Sequence, residues 1–293
     1  MYFPYLKLRQ QESLAVRNTV CRYADNKVVP VLEPYCENEA ELYNYRYLTS
    51  TIEDLISSNK KFILIIDDEN NLSVLKSRFI NFNNYCIRGY YNDNPLVTNY
   101  QGTYDVAIIH RDRTIIIQDN NNIKYHIMMP SVLRSPRYIN NYPIEKIVNI
   151  ENGFIKYSPN YKYPVSDTFD ADGVFTFRQD GHAGFGDFTI LEEGYDVPSG
   201  AQADKVTHVI HLTRKQDAVQ KLEVYHYLTT PAMEPDNRRR SELTIEKAYN
   251  DRHRFLHTLG IQLIIDKYPQ ASSPAYYKRI GIIHHIELMH SLV

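Results

Sequence analysis

The run KFILIID, Lys61 to Asp67, constrains the fold of this chain more than any other stretch, because its apolar residues are consecutive rather than alternating. A strand with one wet face alternates apolar and polar side chains. A strand covered on both faces reads as an unbroken apolar run, as parallel sheets do. KVVPVLEP (Lys27 to Pro34), DVAIIHR (Asp105 to Arg111) and KIVNIEN (Lys146 to Asn152) are runs of the same kind. Between the first run and KFILIID, Leu42, Leu48, Ile52, Leu55 and Ile56 share one face of a helix, so the segment reads as strand, helix, strand. A second helix (Leu72 to Phe82) and a strand at YCIRGYY continue the pattern. The expected architecture is α/β and TIM-barrel-like, a single barrel-like domain over residues 1–293, with helices over 241–293.

Alternation weakens between Asp105 and Pro130. There TIIIQD (Thr114 to Asp119), an Asn-rich turn and IKYHIMMP (Ile123 to Pro130) read as a hairpin, which makes the barrel irregular or incomplete. Strands are also expected at Gly173 to Phe177 and Phe185 to Leu191, around a cluster of Gly181, Gly184 and Gly186. Glycine inside an element costs about 0.5–1 kcal/mol relative to alanine. The cluster therefore reads either as a hairpin with a glycine-rich loop or as backbone facing a ligand. After a surface loop at 192–205, Lys205 to Thr213 and Leu222 to Thr230 read as strands that can pair with each other. Ser241 is then a plausible N-cap and Gly260 a plausible C-terminal stop for one helix, and Pro274 opens another.

At 293 residues the chain is long enough for a large core, and a net charge of −2 supplies no global attraction to nucleic acid or anionic lipid. Cys21, Cys36 and Cys86 are odd in number and widely spaced, which argues against a disulfide framework and for a reducing cytoplasm. The opening MYFPYLKLRQQE lacks the apolar core of a signal peptide, and no apolar run reaches the roughly 18 residues of a membrane span. The expectation is a soluble cytoplasmic protein with no membrane partner.

Glu33, Asp67, His110, Glu151, Asp187 and His211 each stand at or near the end of an expected strand. Barrels collect functional groups at the carboxyl ends of their strands, so these residues are candidates for one mouth; the ordinary alternative for any single one is a mere strand terminator. Glu33, Asp67, Asp187 and His211 are the candidate catalytic set, with carboxylates as general acid and base. Three carboxylates with a histidine or two would also suffice for a divalent ion, but no motif fixes a metal. Arg9, Glu12, His110, Glu151, His182, Gly184 and Gly186 are the candidate ligand-binding set. Arg9 and Glu12 read either as a solvated helix start or as groups facing the site. His253 and His257, four apart, and the Arg238 to Arg240 triplet read as solvated surface, and His284, His285 and His290 as satisfied or partner-facing.

MYFPYLKLRQQESLAVRN, KVVPVLEP, and HAGFGDFTI followed by VTHVIHLT resemble, as an ordered set, the Beta protein family of phages and its shorter bacterial relatives. The resemblance spans nearly the whole chain. It implies a TIM-barrel-type protein carried by mobile elements, within a phage-exclusion or toxin-antitoxin-like module whose partner is encoded by a neighbouring gene. The positions that match are Glu12, Glu33, His182, Gly184, Gly186, Asp187 and His211. The family implies no reaction. Two readings follow: a barrel mouth that binds or hydrolyses a phosphate-containing ligand, such as a nucleotide or nucleic acid end, or a non-catalytic antitoxin or sensor. The second would hold its partner through the carboxyl-terminal helices and exposed loops bearing Tyr157, Tyr161, Tyr163 and Tyr276.

Overall fold

The computed structural model describes residues 1–35, 39–97, 100, 102–191, 193, 206–216 and 219–293. Cys36 and the expected surface loop at 192–205, except Glu193, lie outside the described residues. Among the described residues, eleven strands follow in chain order: β1 (Tyr2–Leu8), β2 (Val31–Pro34), β3 (Phe62–Ile65), β4 (Cys86–Tyr91), β5 (Val106–His110), β6 (Ile123–Met128), β7 (Ile147–Glu151), β8 (Ser166–Phe169), β9 (Gly184–Asp187), β10 (His208–Lys215) and β11 (Leu222–Thr229). The chain divides into two compact units.

The first unit comprises Met1–Glu151, Gly173–Asp187 and Val293. It is a closed barrel of eight strands, β1 to β7 and then β9, with every neighbouring pair parallel. The TIM-barrel-like expectation therefore holds, and the barrel closes. All four residues of β3 are buried, as a strand between a packed lumen and a helical coat requires. The helix Arg46–Ser57 supplies part of that coat, burying Leu48, Ile52 and Leu55 at helical spacing. The helix Glu69–Arg78 starts where the Asp68 carboxylate accepts the Asn70 amide.

The lumen is identified by contacts between strands that are not neighbours. Phe3 on β1 meets Tyr125 on β6 at 5.0 Å between ring centroids, and Tyr5 on β1 meets Tyr91 on β4 at 3.0 Å between hydroxyls. Register partners in a sheet share a face, so Val31, Glu33, Ile63, Gly89, Ile109, Ile150, Gly184 and Gly186 also point inward. Tyr2, His110, His126, Asn149, Glu151, Phe185 and Asp187 point outward, under the coat.

No hairpin forms between residues 114 and 130. β6 lies directly beside β5 in parallel, and the apolar run from Thr114 is irregular because side chains take the bonds that a ladder would have supplied. The Asp112 carboxylate accepts both the amide and the hydroxyl of Thr114. The Ile115 carbonyl accepts the Tyr138 hydroxyl, and the Ile117 amide donates to the Tyr142 hydroxyl. β-branched composition favoured a strand; these local partners override it.

The glycine cluster is likewise not a hairpin. Residues 173–176 form one helical turn rather than a strand, and β9 is only Gly184–Asp187. Gly181 adopts φ +75°, a left-handed value that suits glycine, and turns the chain into β9. A β-carbon at Gly184 would collide with the Met1 carbonyl oxygen, and one at Gly186 with the Phe3 carbonyl oxygen. These two glycines let β9 close against β1, so their role in the described structure is strand packing.

The second unit comprises Asn152–Asp172 and Phe188–Leu292. An antiparallel sheet in the order β10, β11, β8 carries the helices Asn237–Asp251, Leu259–Lys267 and Pro274–Leu292. β10 and β11 form the anticipated pair, packing Ile210, Leu212, Tyr225 and Tyr227 against Ile245, Ile264 and Ile280. The cap of the first helix is Asp236, which accepts the Arg239 amide, rather than Ser241. Ser241 is buried and bonds the Tyr277 hydroxyl. Gly260 does not end a helix. It begins the next one, where a β-carbon would stand 2.8 Å from the Ile280 carbonyl oxygen.

Candidate functional site at the barrel mouth

Tyr5, Glu33 and Tyr91 form the polar centre of the carboxyl-terminal mouth. The Tyr5 hydroxyl donates to Glu33 Oε2 at 3.1 Å and lies 3.0 Å from the Tyr91 hydroxyl. With its hydrogen committed to Glu33, Tyr5 offers Tyr91 its oxygen. Burial, then the neighbouring Tyr91 and Glu33, raises the Tyr5 pKa well above its ordinary value, and burial and Glu33 do the same for Tyr91. Both rings therefore keep their protons and act as fixed donors near the carboxylate.

Cations stand around this centre. Lys7 is the register partner of Glu33 on the same strand face. The Arg111 guanidinium, just past β5, lies 3.8 Å from the centroid of Tyr91 and grips Asp93 through Nε at 3.1 Å and Nη2 at 2.7 Å. Partial burial opposes ionisation of Arg111, but the bonds and charge of Asp93, with Tyr91 and Asp67 nearby, hold its pKa above the ordinary value. Asp67 is exposed at the rim and accepts Asn94 Nδ2 at 2.8 Å. Arg9, just past β1, stacks on Tyr35, just past β2, at 3.7 Å. Glu12 is buried in the first turn of the helix Gln10–Asn18.

The other anticipated residues do not join this group. Asp187 ends β9, but register turns it to the outer face, where it is fully buried and accepts the Tyr2 hydroxyl at 2.8 Å. Glu151 also faces outward and accepts the Gly173 amide at 3.0 Å. His182 precedes β9 and so stands at the amino end of the barrel, 3.4 Å from Asn149 Nδ2. His211 is on β10, inside the antiparallel sheet of the second unit, with Nδ1 2.7 Å from His226 Nδ1. Strand-end position was legible in the sequence, but the face was not. Among the described residues, no three histidine, cysteine or acidic side chains come together to hold a metal ion. None of the described helices is long and apolar enough to cross a membrane.

His110 is also on the outer face and anchors a buried relay. Its Nδ1 lies 2.8 Å from the Tyr138 hydroxyl and its Nε2 2.9 Å from His126 Nδ1. His126 Nε2 lies 3.0 Å from Asp119, which Lys146 holds at 2.9 Å. An ionised Asp119 only accepts, so His126 donates to it from Nε2 and, when neutral, accepts the Nε2 hydrogen of His110 at Nδ1. Burial lowers both imidazole pKa values, and both rings stay neutral at neutral pH.

The relay leads back to the mouth through Asn92, a buried residue that the sequence presented only as part of a turn. Its Oδ1 accepts the Arg111 amide at 3.1 Å and the Asp112 amide at 3.2 Å, and its Nδ2 donates to the Tyr138 hydroxyl at 3.1 Å. Asn92→Ala leaves those amides without an acceptor and is expected to cost about 2 kcal/mol. Urea unfolding measures this, and a wild-type midpoint would show that Asn92 does not brace the rim.

Tyr5, Tyr91 and Arg111 were also missed as site residues, although the alternation of β4 could have found one of them. Inward-facing Gly89 puts Tyr91 in the lumen by parity. Comparison with models of protein families, with curated proteins and with solved structures gave no match.

Proposed function

We propose that the barrel mouth binds a phosphate-containing ligand and that Glu33 acts there as general base. The observation that carries this reading is the Glu33 carboxylate hydrogen-bonded to Tyr5 in the mouth, with Lys7 beside it in register and Arg111 stacked on Tyr91. Arginine offers a planar fork to phosphate and lysine a mobile charge. A carboxylate whose neighbours are protonated tyrosines can take a proton from water or a ligand hydroxyl. The resemblance to the Beta protein family supports placing this chemistry in an antiviral or toxin-antitoxin-like module with a partner encoded nearby.

A panel of nucleotides and nucleic acid ends, assayed with and without divalent metal, tests the reading. Glu33→Gln is expected to reduce turnover at least about 100-fold while binding persists. Arg111→Ala is expected to weaken binding at least about 10-fold. Unchanged turnover in a folded Glu33→Gln protein removes Glu33 from the chemistry. Failure to bind any panel member, together with stoichiometric co-purification of a neighbouring gene product, would instead favour the partner-binding reading. Of that reading's four tyrosines, Tyr161 is exposed, Tyr157 and Tyr276 are half-buried, and Tyr163 is buried against the His211 and His226 rings.

A further inference from the structure

The outward face of β4 carries an arginine whose strongest hydrogen-bonding edge is empty. Arg88 is 7% exposed, and among the described residues its buried Nε and Nη2 have no hydrogen-bond partner. Those two nitrogens lie on one edge of the guanidinium and form the fork that fits two oxygens of a carboxylate or phosphate. Arg111 shows the same edge in use, with Nε and Nη2 both donating to Asp93. At Arg88 the nearest carboxylate is Glu69, 3.7 Å from the third nitrogen, Nη1, and it already accepts the Tyr90 hydroxyl at 3.2 Å.

Positive charge exceeds negative charge around this edge. The Arg88 guanidinium lies 3.9 Å from the Tyr104 ring centroid, and Lys76 Nζ lies 4.2 Å from the same centroid. Two cations thus share one aromatic ring, while Glu69 is, among the described residues, the one carboxylate bridged to Arg88 and is itself more than half exposed. Leaving two buried charged donors idle is costly. A multiply charged oxyanion answers both features, with two oxygens on the fork and residual charge towards Lys76. Tyr104 is 38% exposed, so its side chain can turn outward and open the way to Arg88.

We propose that Arg88, with Lys76 and under cover of Tyr104, forms an oxyanion site of phosphate class on the outer face of the barrel. It is separate from the lumen, because Arg88 and the inward Gly89 lie on opposite faces of β4.

Calorimetric titration of the full chain with inorganic phosphate at constant ionic strength, with chloride as control, tests this. Arg88→Lys keeps the charge and removes the fork, and should weaken phosphate binding at least 10-fold. Lys76→Ala, a half-buried helix position, should weaken it several-fold and serves as the decisive variant if Arg88→Lys does not fold. Arg111→Ala, which disarms the mouth, should leave this binding unchanged. The proposal is overturned if the wild type binds no phosphate, if Arg88→Lys or Lys76→Ala binds as the wild type does, or if binding is lost in Arg111→Ala alone.

Discussion

Gly186→Ala is expected to destabilise the barrel by about 3 kcal/mol or more, the upper end of what overpacking costs. The added β-carbon would meet the Phe3 carbonyl oxygen, which belongs to the neighbouring backbone and cannot rotate aside, and would press on Ile150 Cδ1 at 2.5 Å. β9 is four residues long and is bonded to β1 on one side and β7 on the other, so displacing it opens the cylinder. Gly89→Ala is the control. The three atoms nearest its β-carbon would be the side-chain atoms Ile65 Cγ1, Ile63 Cγ2 and Ile109 Cδ1, at 2.9 to 3.1 Å, rather than backbone, and it should cost about 1 kcal/mol. Equilibrium urea unfolding compares the two, and equal midpoints would show that the close approach of β9 to β1 does not set barrel stability.

The second unit is expected to be labile to mild acid. Burial holds the pKa of His226 down to about 4 despite the opposing charge of Asp167, and that of His284 to about 4 despite its bond to the Thr213 carbonyl. Unfolding restores an ordinary value near 6.5. Between about 6.5 and 4 the unfolded chain therefore binds protons that the native state does not, and stability falls as the pH falls through that window. Each residue contributes a loss of about 2 kcal/mol by pH 5. Burial beside His226 also depresses the pKa of His211, in the same direction. With no tryptophan in the chain, near-ultraviolet dichroism of its 25 tyrosines reports the transition. His226→Gln should flatten the profile between pH 7 and 5, and an unaltered slope would remove His226 from the account.

These expectations draw unequally on the sequence. The apolar runs located β2, β3, β5 and β7, because a strand covered on both faces must be apolar throughout. The run from Thr114 had the same composition but became irregular, since Asp112, Asn92, Tyr138 and Tyr142 supplied other partners for its backbone or fixed its turn. The glycine cluster was visible as a place of close approach, but what approaches is β1.

Within the candidate site, Glu33 and Asp67 were legible because polar residues closing apolar runs stand out. Asp187 and Glu151 looked equivalent in sequence, yet the register of β9 and β7 turns both away from the lumen. A shift of one residue exchanges the two faces of a strand, and nothing local to DFTI or IEN records which face the barrel will enclose. The sequence by itself determined that short, fully apolar strands would alternate with helices and that polar groups would cluster at strand ends. The tertiary structure alone decided which of those groups meet, because closing the barrel fixes strand register through contacts between residues more than a hundred positions apart, such as Phe3 with Gly186.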